Sequence, residues 1–151
     1  LQGGQAEYVE VPRADVALQR IPDTITDDQA LLLTDALATA QFGITRCDID
    51  PGDTVAVVGL GPIGLLGIEL AFIHGASQVF AIDPVKGRRL HAEQLGATPL
   101  ESGDHLAVAI REATKGKMVA KVFEASGSPA AIASAGWRRK DGAGEWGFPG
   151  R

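Results

Sequence analysis

The sequence is short of several things, and each shortage closes off a class of function. It has one cysteine, Cys47, in 151 residues. That excludes an internal disulfide and a cysteine-rich zinc knuckle within the chain. Positive charge is scarce: 14 Lys and Arg stand against 19 Asp and Glu, for a net charge of −5. A nucleic-acid partner therefore has no general electrostatic support. Aromatic residues make up 5%. No apolar run is long enough to span a bilayer, because the longest carries glycines and is followed by Glu69. The opening LQGGQAEYVEVP has neither an initiating Met nor a basic segment followed by an apolar one. These absences lead us to expect a cytoplasmic protein with no membrane partner, and a chain that is a piece of something longer.

What is present is ordinary globular composition, 45% hydrophobic and 22% charged, on a length that suits one domain with a small appendage. The segment AEYVEVP reads as a strand, and ADVALQRIP as a loop with a short extended piece. In TDDQALLL, Thr26 and Gln29 have capping-box spacing, which predicts a helix whose Ala30–Leu33 run is buried. A second helix follows in ALATAQFGI, and DIDPGD is a turn. From there strands and helices alternate. TVAVVG, QVFAID, ATPLES and MVAKVFEA read as strands, and GLLGIELAFIHG, VKGRRLHAEQLG and DHLAVAIREATKG as the helices between them. TVAVVG is apolar at every position, as in a strand buried on both faces. The order β-α-β-α-β-α-β argues for an α/β fold with a parallel sheet. Residues 136–151 lose periodicity and carry both tryptophans, and we read them as an irregular basic tail.

One motif carries chemistry. Gly59, Gly61 and Gly64 form G-L-G-P-I-G between a predicted strand and a predicted helix. In that context Gly59 makes the tight turn, Gly61 leaves room for a pyrophosphate and Gly64 lets helix and strand pack closely. Free N–H groups of the first helical turn would face the phosphates. Pro62 has no N–H to give but suits an early helical position, beside Ile63. Asp83 ends the next strand about twenty residues on, where a carboxylate accepts ribose hydroxyls and repels a 2′-phosphate. NAD is thereby favoured over NADP, although Lys86, Arg88 and Arg89 lie close enough in sequence to pair with such a phosphate. His74, His91 and His105 read as surface or packing residues, and Cys47 as a semi-buried small residue with no base beside it. Asp35 stands in an apolar helical context, where a carboxylate is either buried with a metal or an Arg, or an exposed cap of the following helix.

The stretch GDTVAVVGLGPIGLLGIELAFIHGASQVFAIDPVKGRRLHAEQLGA closely resembles the coenzyme domain of zinc-dependent medium-chain alcohol dehydrogenases. GGQAEYVEVP, RIPD, DQALLLTDALATA and VFEASGSPAAI are similar to the same family, so the resemblance covers residues 3 to about 135. It implies a Rossmann-type parallel sheet with helices on both faces, incomplete, with a short N-terminal β extension. Residues 1–25 would be a remnant of a GroES-like catalytic domain and 26–135 the dinucleotide-binding domain. It also implies hydride transfer between an alcohol or polyol and NAD, with a catalytic zinc. By position Asp35 would be a zinc ligand and Thr39 would line the nicotinamide site. Gly59, Gly61, Pro62, Ile63, Gly64 and Asp83 would hold the coenzyme, with Arg88 near the adenosine and Ala125 and Gly127 in a turn bordering it.

The chain departs from the pattern at both ends. The family's Cys and His–Glu zinc ligands, and its four-cysteine structural lobe, are not in this sequence. One carboxylate does not hold a zinc that needs three protein ligands. After SPAAI the sequence ASAGWRRKDGAGEWGFPGR does not continue the pattern. We therefore expect coenzyme binding here, hydride transfer only in a full-length parent, and a sheet edge open to homo-oligomer contact. The alternative is a non-catalytic NAD-binding module or a product without an enzymatic role.

Overall fold

A computed structural model describes residues 4–103 and 105–134. The chain divides into two compact units, Leu1–Leu32 and Leu33–Arg151. The expected tail at 136–151 lies outside the described residues.

In the first unit the expected N-terminal β extension is not formed. Residues 4–11 are irregular, with Tyr8 90% exposed. High β-propensity is a preference for packing on a pleated surface, and a strand with no paired neighbour has none. The stretch expected as a loop contains instead one helical turn, α1 (Ala14–Ala17), entered through Arg13 in a left-handed conformation. The helix α2 (Asp27–Leu33) begins at the expected capping box. The Thr26 N–H donates to Gln29 Oε1 at 2.9 Å, and the Gln29 N–H to Thr26 Oγ1 at 3.3 Å. Of the apolar run expected to be buried only Ala30 is, while Leu31, Leu32 and Leu33 are exposed. Four consecutive apolar residues go more than once round a helix, so a single packed face cannot cover them all.

The second unit holds the sheet. After α3 (Ala36–Arg46) and a turn at Asp50–Asp53 come β1 (Thr54–Val58), α4 (Pro62–Ile73), β2 (Gln78–Ile82), α5 (Lys86–Gln94), β3 (Thr98–Leu100), α6 (Leu106–Ala113), β4 (Lys121–Glu124) and α7 (Pro129–Ser134). The four strands are all parallel, in the order β3-β2-β1-β4. The expected β/α alternation is thus the observed one. Side chains alternate between two cores. Val55, Val57, Val79, Ala81 and Phe123 pack with Ala40 and Ile44 of α3, Ile68 and Ala71 of α4 and Ala92 of α5. Ala56, Val58, Phe80 and Ile82 pack with Leu106 and Ile110 of α6. Both faces are covered, which is why β1 and β2 read as apolar runs after their first residue.

Register positions the site. Val58 lies opposite Ile82 on one side and Glu124 on the other, and Ile82 lies opposite Leu100. The strands therefore end level, and the segments that follow them rise together at the carboxyl edge of the sheet. Among the described residues, no helix is long and apolar enough to cross a membrane.

Candidate functional site

A cleft of about 760 Å³ opens at that edge. The β1–α4 loop contributes Gly59 and Gly61 to its lining, and the end of β2 contributes Asp83, Pro84 and Arg88. Ser102, Gly103, Leu106 and Ala107 form another wall, and Ala125, Ser126 and Ser128 the side that follows β4.

The three glycines of the loop do different work. Gly59 has φ +88°, and a Cβ there would stand 2.6 Å from the Cα and N of Ser126. It is required by conformation and by the neighbouring turn. At Gly64 a Cβ would run into the carbonyl oxygen of Gly59, so α4 packs on β1 only with glycine there. Gly61 is the opposite case. Its φ is −74°, and a Cβ would meet nothing within 4 Å. The protein leaves space beside Gly61 that its own packing does not need.

Gly61 is also the N-cap of α4, and no side chain caps this end. Pro62 occupies the first position and has no N–H. The early amides of Ile63 and Gly64 have no intrahelical acceptor, as at any helix start. Open amides beside an empty space form an arrangement that accommodates an anion.

Asp83 is 3% exposed and turned back into the loop. Its Oδ2 accepts the Leu60 N–H at 2.8 Å and its Oδ1 the Val85 N–H at 2.7 Å. Arg88 approaches Oδ2 at 3.4 Å with its side chain 54% exposed. Arg89 is committed elsewhere: its Nη1 donates to the carbonyls of Asp83 (2.8 Å) and Pro84 (2.9 Å), and its Nη2 approaches Glu101 at 3.4 Å. Lys86 is exposed.

Of the residues assigned from the sequence, Gly59, Gly61, Asp83, Arg88 and Ala125 line the cleft. Pro62, Ile63 and Gly64 form the first turn of α4 behind the loop. Gly127 lies in the turn after β4 at φ +62°, outside the lining. Asp35 and Thr39 meet each other, with the Thr39 hydroxyl donating to Asp35 Oδ1 at 2.8 Å, and they too lie outside the lining. Asp35 is the exposed N-cap residue of α3, the second of its two alternatives, although its side chain caps no backbone N–H there. Cys47 is fully buried rather than semi-buried.

A zinc ion needs three protein ligands and an open position. Among the described residues no three His, Cys, Asp or Glu side chains come together. The described residues do not fit a zinc site.

Sequence reasoning missed Glu124, at the tip of β4 and 4% exposed. Its Oε1 accepts from the N–H and the hydroxyl of Ser126, and its Oε2 from the Gly127 N–H at 3.4 Å. The available signal was a carboxylate at the end of a predicted strand, just before the small-residue turn ASGS.

The strand order, the covered faces and the glycine loop at the carboxyl edge define one half of a doubly wound, Rossmann-type protein. A family model described as zinc-binding dehydrogenase matches residues 62–136. A Mycobacterium tuberculosis protein named as a probable zinc-binding alcohol dehydrogenase is 47% identical over 135 residues, covering 89% of this chain and 35% of that protein. A medium chain reductase/dehydrogenase of Acremonium is 38% identical over 144 residues, covering 89% of this chain and 49% of that protein. The solved structure of an alcohol dehydrogenase from Thermus sp. ATN1 superposes with a TM-score of 0.80 at 37% identity, over 89% of this chain and 39% of that one. The chain belongs to the zinc-type, medium-chain alcohol dehydrogenase family. It spans between a third and a half of the length of these curated relatives.

Proposed function

We propose that this chain binds NAD in the cleft, as the coenzyme-binding part of an alcohol or polyol dehydrogenase. The adenosine ribose lies at Asp83. The diphosphate lies over Gly61, facing the amides of Ile63 and Gly64. Pro62 fixes that first turn, Ala125 and Gly127 border the far side, and Arg88 stands near the adenosine. The observation that carries this reading is Asp83 itself. It is a buried carboxylate at the tip of β2, held in place by Leu60 and Val85 amides. A carboxylate has about four lone-pair sites, so capacity remains for a ribose hydroxyl. The same negative charge disfavours a 2′-phosphate, which makes NADP the weaker ligand.

Hydride transfer between a small alcohol and NAD is proposed for the whole protein, with the nicotinamide supplying the hydride acceptor. Asp35 and Thr39 belong to that chemistry on the family resemblance. Asp35 would be one zinc ligand of the three required. Association of copies through the sheet edge at β4 and a cytoplasmic location accompany this reading. A second reading, an NAD-binding module without catalysis, is favoured by one observation: the coenzyme cleft is built while no metal cluster is, among the described residues.

The test is titration of the 151-residue chain with NADH and NADPH, followed by nicotinamide fluorescence, and repeated with Gly61→Val. We expect NADH to bind, NADPH to bind about tenfold more weakly, and the variant to lose at least about tenfold in NADH affinity at an unchanged unfolding midpoint. A Gly61→Val chain that binds NADH as the parent does would sink the reading. Turnover with NAD, zinc and a panel of alcohols separates the dehydrogenase from the module.

A further inference from the structure

We infer that Glu124 is a positioning residue, an internal anion that sets the gap between the turn after β4 and the glycine loop, and so sets how tightly a dinucleotide can lie across that loop. The inference rests on the coenzyme reading above.

Three observations carry it. Glu124 is buried, yet both its oxygens are spent on the turn that immediately follows it, on the N–H and hydroxyl of Ser126 and the N–H of Gly127. The same hydroxyl accepts the Ser128 N–H at 3.1 Å. The carboxylate therefore holds two successive amides, those of Ser126 and Gly127, which turn towards it as they would towards a bound anion, and the Ser126 hydroxyl passes the constraint on to Ser128. Next, this turn is the wall against which the loop is built. Ser126 backbone occupies the space that a side chain at Gly59 would need, and the Ala125 N–H donates to the Val58 carbonyl at 2.7 Å. Finally, strand order places the two carboxylate tips on opposite sides of β1, Asp83 at the end of β2 and Glu124 at the end of β4. A dinucleotide with its adenosine at Asp83 crosses the loop towards Ser126. Its adenosine half is indifferent to Glu124, whereas its diphosphate and second nucleoside are not.

Loss of the carboxylate need not unfold the sheet, because its partners lie in a turn at the edge of the cleft and Ser126 is exposed. Water can replace part of what is lost in stability. It cannot restore the width of the gap.

The experiment measures NADH and AMP binding to the full chain and to Glu124→Gln and Ser126→Ala, with thermal unfolding of each. The amide of Glu124→Gln keeps one acceptor and turns a donor towards the Gly127 N–H. We expect it to weaken NADH by about tenfold and AMP by less than about twofold. Ser126→Ala should weaken NADH by about threefold. A folded Glu124→Gln that binds NADH within about twofold of the parent overturns the inference, as does an equal loss of NADH and AMP, the mark of a merely structural role. Should Glu124→Gln fail to fold, Ser126→Ala decides: parental NADH affinity overturns the inference, and a selective loss supports it. A parent chain that binds AMP but not NADH overturns this inference and the coenzyme reading together.

Discussion

The tips of β2 and β4 use the same device with different reach. Each ends in a buried carboxylate, Asp83 or Glu124, that turns back to accept backbone amides. Asp83 bonds forward to Val85 but also across to Leu60, an amide of the neighbouring glycine loop. The oxygen that accepts the Leu60 amide, Oδ2, also faces the Arg88 cation at 3.4 Å. Among the described residues the Glu124 side chain bonds within its own turn, whose Ser126 packs against Gly59 of the loop. The loop is thus held by a hydrogen bond on one side and by packing on the other. A hydrogen bond yields gradually over a few tenths of an ångström, whereas a close packed contact resists any further approach.

Breaking the packed side at its source should have the largest effect. Gly59→Val combines a left-handed backbone conformation with a collision against Ser126 backbone, neither of which a rotamer change relieves. We expect a loss of about 3 kcal/mol or more, seen as a lower urea midpoint at constant m. A variant as stable as the parent would show that the turn after β4 does not press on the loop.

The hydrogen-bonded side comes next. Asp83→Ala strands the Leu60 amide, whose bond is buried, and the partly buried Val85 amide, and should cost about 2–3 kcal/mol. Glu124→Ala should cost less, about 1–2 kcal/mol, because the amides it frees border an exposed turn where water reaches them. Equilibrium unfolding of the two variants side by side checks the order. A reversed order would mean that packing, not hydrogen bonding, holds both rims.

The two rims also differ in how far they were legible. Asp83 could be found from its spacing after the glycines, because a fixed strand–helix–strand unit places it there whatever the intervening residues are. Glu124 stands at no such fixed distance. Its partners are backbone amides of its own turn, and composition does not disclose them. The sheet was legible because its central strands β1 and β2 are buried on both faces and are therefore apolar after their first residue. In the first 33 residues little beyond the capping box that opens α2 was legible. Tyr8, Val9 and Val11 have strand propensity with nothing to pair with, and Leu31–Leu33 have apolarity with no face to bury all of them. Propensity and hydrophobicity are statements about neighbours, and a local reading must assume neighbours that the fold does not always supply. The motif treats Gly59 and Gly61 alike, whereas the structure separates a glycine that its conformation and the Ser126 backbone require from one with open space beside it.

The smallest effect on stability belongs to Arg88→Ala, and it sharpens the comparison most. Among the described residues, only the Asp83 rim of the two carries a cation beside its carboxylate. Of the three basic residues near it, Arg89 is spent on the carbonyls of Asp83 and Pro84 and Lys86 is exposed, while Arg88 touches Asp83 Oδ2 at 3.4 Å. That pair is half in water, so removing it should change stability by less than about 0.5 kcal/mol. On the proposed coenzyme reading its consequence lies in nucleotide choice: Arg88 would offset the repulsion between Asp83 and a 2′-phosphate, and would add nothing essential for a free ribose hydroxyl. In parallel titrations, Arg88→Ala should bind NADH within about twofold of the parent and bind NADPH several times more weakly, widening the preference by about the value of one exposed charge pair. The difference should shrink as salt is raised. If NADH weakens instead and NADPH does not, Arg88 serves to orient the Asp83 carboxylate, and the β2 rim is a three-part clamp rather than a carboxylate with a cation standing by.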